Sequence, residues 1–242
     1  MNHQNILLVL EGVHDLYFYY NYLFKIYGLE EIGRNEYCQR ENKRIKNLTN
    51  SNFTFKFLLG NSKEGVLLEN DLTREQYQKA LNEFSKILII FDPDEGNEIK
   101  FEEDKKQLTA KLEKLAPNHN KEIIFGDWKF DCPKFHGQNT IALENITTFL
   151  LRKIEPENYP EKEIEAFLKA TNGKLILKEK VKINNKLEPN ICKVLLSDKY
   201  LHEFYQEIIE TTKLEFLKET VTDKFGVGEI FEFLNDENTQ EK

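Results

Sequence analysis

Short apolar runs alternate with helical patterns through the first half of the chain, and this alternation limits the folds open to it. Ile6–Leu10 and Ile87–Phe91 are uninterrupted apolar runs, typical of strands buried on both faces of a sheet. Between such runs, apolar residues recur three and four positions apart, as in amphipathic helices. Strands separated by helices predict an α/β fold, Rossmann-like, with a mostly parallel sheet covered on both faces. The predicted strands are 6–10, 53–59, 87–91 and 122–125, and the predicted helices are 16–24, 75–84 and 102–115.

The second half of the chain is predicted to be mainly helical. An irregular stretch at 126–140 precedes it, and Pro156 and Pro160 interrupt the chain further on. We therefore predict an α/β domain at 1–155 and a helical C-terminal extension at 156–242. The helical patterns lie at 141–151, 161–170, 198–210 (with Ser197-Asp198 as the expected cap) and 213–223, and a hairpin is expected at 175–181.

The composition is that of a folded chain with a substantial core. Of the 242 residues, 40% are hydrophobic and 31% are charged. No apolar run approaches the ~18 residues of a membrane span, and the N-terminus does not have the pattern of a signal peptide. The three cysteines, Cys38, Cys132 and Cys192, are too few for a disulfide framework. We expect a cytoplasmic protein that does not bind membranes, and self-association is left open.

Net charge limits how the chain could contact nucleic acid. The 34 basic and 42 acidic side chains give −8, which argues against a surface coated for non-specific binding of nucleic acid. Two locally basic strips remain, at 34–46 and 174–193. They are either solvated loops or segments that follow a phosphate backbone. Contact with phosphates through these strips or through a metal therefore stays open.

Acidic residues directly follow two of the predicted strands. Glu11 comes after the first strand, with Asp15 in the first turn of the next helix, and Asp92 and Asp94 come after the strand 87–91. Ligands of open α/β sheets bind at the carboxyl ends of the strands. If these two strands are neighbours, the four carboxylates converge there, and such a group needs raised pKa values or a cation. A hard divalent cation with oxygen ligands, Mg²⁺, satisfies this requirement, and Mn²⁺ is an alternative.

Each acidic segment also has an ordinary structural explanation. Asp15 could simply complement the N-terminus of a helix. The segment 92–96, Asp-Pro-Asp-Glu-Gly, is common turn chemistry. The occurrence of both segments directly after buried strands favours a shared site over two unrelated local roles.

The two segments together resemble a known family. Leu-Val-Leu-Glu11-Gly12-x-x-Asp15, followed by Ile-Ile-Phe-Asp92-x-Asp94-x-Gly96, is similar to the TOPRIM domain of topoisomerases, bacterial primases, small rRNA maturases and OLD-type nucleases. The resemblance covers roughly residues 5–125 and depends on these few positions. It implies a TOPRIM-type fold, with Glu11 as an acid/base or metal-bound residue and Asp92 and Asp94 as the Mg²⁺-binding pair. Asp15 would match the acidic residue that closes the first motif in the nucleases.

The resemblance extends most readily to the stand-alone OLD-like branch. Leu143-Glu144-Asn145, ahead of an apolar helical run, resembles a segment of those proteins, which makes Glu144 a candidate ligand of a second metal. A carboxylate at the start of a helix is the equally open alternative. The segment 60–65 does not have the Gly-Lys-Ser/Thr ending of a phosphate loop, so we interpret it as a plain loop. The resemblance therefore implies a separate ATPase partner and a role in defence against phage.

These observations lead to one principal function and two alternatives. We expect a Mg²⁺-dependent nuclease that hydrolyses phosphodiesters of DNA or RNA. In this account Asp92 and Asp94 hold one metal, and Glu11 and Asp15, with Glu144, organise a second. The first alternative is a non-catalytic regulatory or scaffold module that binds nucleic acid or an ATPase. The second is a receiver-like or HAD-like phosphotransfer domain, disfavoured because the required Ser/Thr and Lys positions are missing at later strand ends.

Overall fold

The central element of the fold is a sheet of six strands. The computed structural model describes residues 3–38, 44–92, 98–117, 120–126, 143–166, 187–232 and 234. The strands are β1 (Gln4–Leu10), β2 (Glu30–Ile32), β3 (Asn47–Thr49), β4 (Phe53–Leu59), β5 (Lys86–Ile90) and β6 (Glu122–Phe125). Their order across the sheet is β2-β3-β4-β1-β5-β6. The four strands β4, β1, β5 and β6 run parallel, whereas β2 and β3 join antiparallel at one edge.

Helices connect and cover these strands. The longest are α1, α3 and α4, which lie after β1, β4 and β5; the short α2 precedes α3, and the other helices come after β6. The helices are α1 (Val13–Tyr27), α2 (Lys63–Val66), α3 (Asp71–Glu83), α4 (Glu98–Leu115), α5 (Leu143–Ile154), α6 (161–166), α7 (Leu187–Leu196), α8 (Leu201–Thr211), α9 (Leu214–Leu217), a π-helical segment Lys218–Lys224 and α10 (Val227–Ile230). Within the described ranges, no helix combines the length and apolarity needed to cross a membrane.

The predicted α/β class and mostly parallel sheet are confirmed. Strand β1 lies at the centre, where Leu8 pairs with Phe57 of β4 on one side and with Leu88 of β5 on the other. All five residues of β5 are buried, as expected for a strand covered on both faces. The antiparallel edge strands β2 and β3 were not predicted, because three residues are too few to show a strand period.

The order of the strands creates a topological switch point beside β1, where successive strands change from one side of β1 to the other. The chain passes from β1 to β4 on one side, then crosses back over β1 to β5 on the other. Right-handed crossovers therefore place α1 on one face and α3 and α4 on the opposite face. In doubly wound sheets of this order, ligands bind at the carboxyl ends of the two strands flanking the reversal. Here those strands are β1 and β5.

Two of the C-terminal helices, α8 and α9, pack on α1. Helix α1 ends at Gly28, whose φ of 61° is the left-handed conformation that glycine adopts without strain. Near this end, Lys25 Nζ donates hydrogen bonds to the carbonyl oxygens of Ile209, Glu210 and Thr212, at 2.9, 2.6 and 2.5 Å. A lysine in this position satisfies the last carbonyls of α8 and complements the helix dipole. The division into regions 1–155 and 156–242 stays a prediction, but α8 lies directly against α1.

Two local predictions in this part of the chain are wrong. Ser197-Asp198 does not cap α8, because the helix begins at Leu201 and the side chain of Glu203 accepts the backbone N–H of Tyr200 at 3.1 Å instead. The pattern at 213–223 is not one α-helix either: it is the short α9 followed by the π-helical segment. The predicted hairpin at 175–181 lies outside the described residues.

Candidate functional site

The first acidic segment occupies the turn between β1 and α1. Glu11 follows the last residue of β1, and Gly12 is the N-cap of α1 with an extended φ of −143°. A side-chain oxygen of Asp15 accepts the N–H of Gly12 at 2.8 Å. Asp15 therefore has the helix-start role foreseen as its ordinary explanation. A carboxylate has two oxygens and about four lone-pair sites, so this hydrogen bond is compatible with a second role as a ligand.

The second acidic segment meets the first. Phe91 is buried directly after β5, with its ring 4.9 Å from the ring of Phe101 on α4, and Asp92 comes next. The backbone N–H of Asp92 donates to Oε2 of Glu11 at 3.3 Å. The two strand ends are therefore neighbours joined by a hydrogen bond, as expected if β1 and β5 are adjacent. They lie at the switch point of the sheet.

The register of the sheet brings a third strand end to the same edge. Leu10 pairs with Leu59 of β4 and with Ile90 of β5, so the three strands end level with one another. The carbonyl oxygen of Leu10 accepts the N–H of Gly60 at 2.8 Å, which continues the pairing one residue beyond β4. The loop that starts at Gly60 therefore lies beside Glu11 at the carboxyl edge.

Tyr19 interacts electrostatically with both Asp15 and Asp92. Its side chain is 1% exposed, and among the described residues its hydroxyl has no hydrogen-bond partner. Burial raises the pKa of Tyr19, and the negative charges of Asp15 and Asp92 raise it further. The two carboxylates thus lie within electrostatic range of one buried phenol. Tyr19 lies within the predicted helix 16–24, and its sequence context did not mark it as a site residue.

Two of the predicted ligands cannot be placed. Asp94 belongs to 93–97, outside the described residues. Glu144 lies in the first turn of α5, but its side chain is also outside the described set. Within the described ranges, no three His, Cys, Asp or Glu side chains are grouped closely enough to hold a metal. The assignment of Glu11, Asp15, Asp92, Asp94 and Glu144 as site residues stays a prediction.

A lysine missed from the sequence lies behind the end of β5. Lys63 Nζ is 2.9 Å from Oδ2 of Asp104 and 5.8 Å from the centre of the Phe91 ring. The side chains of Lys63 and Asp104 are only 14% and 4% exposed, so this is a largely buried ion pair. Lys100 lies 3.4 Å from the other oxygen of Asp104. The pair fixes α2 and α4 beneath the strand end that carries Asp92.

The segment 60–65 folds back so that the backbones of its first and last residues are in close contact. Oγ of Ser62 accepts the N–H of Gly65 at 3.1 Å and caps the short helix α2. A Cβ on Gly65 would lie 1.8 Å from the carbonyl oxygen of Gly60, so residue 65 has to be glycine. The spacing of these two glycines is explained by this contact.

Two described cations of the first basic strip are engaged in ion pairs. Arg44 contacts Glu203 of α8 at 2.5 Å, and Lys46 contacts Glu31 at 2.8 Å. Of the lysines in the second strip, Lys193 alone lies within the described residues. These two cations bridge elements of the protein, and the proposed contact of the strips with a phosphate backbone stays a prediction.

Comparison with known proteins supports the fold. No family model matches the chain, and no curated protein matches it. A solved structure, that of a hypothetical protein from Pyrococcus horikoshii OT3, is similar over 90% of this chain and 95% of that chain, with a TM-score of 0.55 and 18% sequence identity. At this identity the likeness concerns the architecture and carries no functional information.

Proposed function

We propose that the chain is a Mg²⁺-dependent nuclease of TOPRIM type that hydrolyses phosphodiester bonds in DNA or RNA. The observation that carries the proposal is the contact between the strand ends, in which Glu11 of one acidic segment accepts the N–H of Asp92 of the other. This contact lies at the switch point, where sheets of this order bind ligands. Asp15, on the same turn as Glu11, adds a further carboxylate.

The chemistry of these side chains fits a hard divalent cation. Carboxylate oxygens are the ligands that Mg²⁺ and Mn²⁺ prefer. Oε2 of Glu11 accepts the backbone N–H of Asp92, so two acidic residues meet at the strand ends. The charges of Asp15 and Asp92 act on Tyr19, whose hydroxyl has no hydrogen-bond partner among the described residues. A cation would balance the negative charges of these side chains and bring water that the hydroxyl could bind.

Each residue then has a definable part in phosphodiester hydrolysis. A bound Mg²⁺ supplies a Lewis acid for the phosphate and lowers the pKa of a bound water. Asp92, with Asp94, would hold this ion, and Glu11 and Asp15, with Glu144, would hold or organise a second one. The two motifs resemble those of stand-alone OLD-like proteins. On this basis we also propose that a separate ATPase is the partner of the chain and that its role is defence against phage.

The test is a cleavage assay with charge-neutralising variants. Supercoiled plasmid, single-stranded DNA and structured RNA are incubated with Mg²⁺ or Mn²⁺ and the native protein, Glu11→Gln or Asp92→Asn. Glu11→Gln keeps an oxygen that accepts the N–H of Asp92. Loss of activity in this variant would therefore be due to the missing negative charge and not to unfolding. The matched control is Glu122→Gln, an acid-to-amide change at the amino end of β6, where Glu122 is 60% exposed. Cleavage that survives both site variants would contradict the proposal.

One observation favours a binding module as the second candidate. Arg44 and Lys46, two of the described cations in the first basic strip, are paired with Glu203 and Glu31 instead of being left for a phosphate backbone. A chain of net charge −8 would then bind an ATPase or another protein without cutting nucleic acid. Binding of Mg²⁺ by the native protein without cleavage of any substrate would favour this candidate.

A further inference from the structure

The hydroxyl of Tyr19 is an exception among the buried phenols of α1. Tyr20 donates to Glu31 at 2.6 Å, and the hydroxyls of Tyr22 and Thr222 are hydrogen-bonded at 2.9 Å. The Tyr19 hydroxyl is equally buried but has no such partner in the described part of the chain. Buried polar atoms are nearly always satisfied, so a hydroxyl without a partner among the described residues calls for a further one, such as a bound water or ion.

The position of Tyr19 indicates where that partner would be. Tyr19 follows Asp15 by one helical turn and therefore lies on the same face of α1. Its ring is held by Phe18, with ring centres 5.2 Å apart, and by Phe231 of the C-terminal segment at 6.0 Å. These contacts restrict the direction of the hydroxyl, and both Asp15 and Asp92 act on it electrostatically.

We propose that Tyr19 is a positioning residue of the cation site, and that its oxygen hydrogen-bonds a water molecule carried by a hydrated Mg²⁺ that Glu11 and Asp92 hold at the strand ends. This inference rests on the proposed function, because it requires a cation at the strand ends. A phenol both donates and accepts hydrogen bonds, so it can contact a coordinated water and a carboxylate at once. No bond is made or broken by Tyr19 itself.

The proposal gives Tyr19 a role in selecting the ion. Mg²⁺ gives up its waters reluctantly and keeps several of them in protein sites, whereas Ca²⁺ is readily surrounded by protein oxygens. A contact made through a coordinated water therefore favours Mg²⁺ over Ca²⁺. Residues that orient ligands from outside the coordination sphere typically change metal affinity by ~10–100-fold when replaced.

The experiment measures cation binding in the absence of nucleic acid. Mg²⁺ and Ca²⁺ are titrated calorimetrically into the full-length native protein, Tyr19→Phe, Tyr22→Phe and Asp92→Asn. Tyr22→Phe is the matched control, since it removes a buried hydroxyl from the same helix but one whose partner is Thr222. Thermal unfolding without added metal verifies that each variant is folded.

We expect Tyr19→Phe to weaken Mg²⁺ binding by about 10-fold and Ca²⁺ binding by less than about 3-fold, with Tyr22→Phe close to native for both ions. Native Mg²⁺ affinity in Tyr19→Phe would overturn the inference and leave the metal site intact. An equal loss for both ions, or a loss shared by Tyr22→Phe, would overturn it as well, because loosening of α1 would then be the cause. Absence of Mg²⁺ binding by the native protein would instead remove the proposed function.

Discussion

The buried ion pair behind the strand end of β5 allows a quantitative test of the fold. Asp104 contacts two lysines, Lys63 at 2.9 Å and Lys100 at 3.4 Å, which differ in their surroundings. The side chain of Lys63 is 14% exposed and that of Lys100 is 50% exposed, while Asp104 itself is 4% exposed. The same carboxylate thus has one buried partner and one partner at the surface.

Replacement of Lys63, the buried partner, should lower the free energy of unfolding much more than replacement of Lys100. Lys63→Met keeps a stem of similar length against Phe91 but leaves Asp104 charged, buried and dependent on Lys100. Breaking a buried pair costs ~3–5 kcal/mol, and we expect the lower end, about 3 kcal/mol, because Lys100 compensates in part. Lys100→Met should cost about 0.5 kcal/mol, the usual value for an exposed pair.

The assay is urea unfolding followed by circular dichroism, with melting temperature as a second readout. At ~2–4 °C per kcal/mol for a chain of this size, Lys63→Met should lower Tm by roughly 6–12 °C. The double variant Lys63→Met/Asp104→Leu should recover most of the loss, since an apolar pair removes the uncompensated charge. Similar losses for Lys63→Met and Lys100→Met, or no recovery in the double variant, would refute this reasoning.

Three further outcomes follow from single contacts. Tyr19→Phe should raise the free energy of unfolding of the metal-free protein by about 1 kcal/mol, because it removes a buried hydroxyl that has no hydrogen-bond partner among the described residues. Tyr22→Phe removes a hydrogen bond and should lower the free energy of unfolding by about 1 kcal/mol; urea titrations of both variants decide this. Gly65→Ala should prevent stable folding because of its 1.8 Å clash, whereas Gly12→Ala, which meets one atom at 3.4 Å, should melt near the native temperature. Hydrogen bonds from Lys46 and Tyr20 lower the pKa of Glu31. The contribution of Glu31 to stability is therefore present above about pH 4.5 and disappears as pH falls through the lowered pKa. Between about pH 7 and about pH 3, the Tm of Glu31→Gln should change less than the Tm of the native protein.

The parallel part of the sheet could be predicted because each strand carries its own signal. Ile87–Phe91 and Ile6–Leu10 are apolar without interruption, and a strand buried on both faces requires this of its sequence. The acidic residues after these runs then mark the carboxyl edge of the sheet. The contact of Glu11 with Asp92 follows once β1 and β5 are neighbours.

Features that depend on tertiary contact could not be predicted in the same way. Lys63 and Asp104 are far apart in the chain, and each alone looks like a solvated charge. Tyr19 lies within a run of aromatic residues whose helical spacing indicates a core, and only the fold shows that the charges of Asp15 and Asp92 raise its pKa. Helix α8 starts at Leu201 because Glu203 reaches back to the backbone of the preceding residue, a choice between caps that the sequence leaves open.

The central claim is that Glu11 and Asp92 together bind a divalent cation at the switch point of the sheet. The most direct measurement is a crystal structure grown with Mn²⁺, in which anomalous scattering locates the ion. We predict a peak within about 2.1 Å of a carboxylate oxygen from Glu11 and of one from Asp92, or of Asp94 beside it. The same peak should be missing from crystals of Asp92→Asn. An ion bound elsewhere, or no peak at this edge of the sheet at millimolar Mn²⁺, would contradict the account.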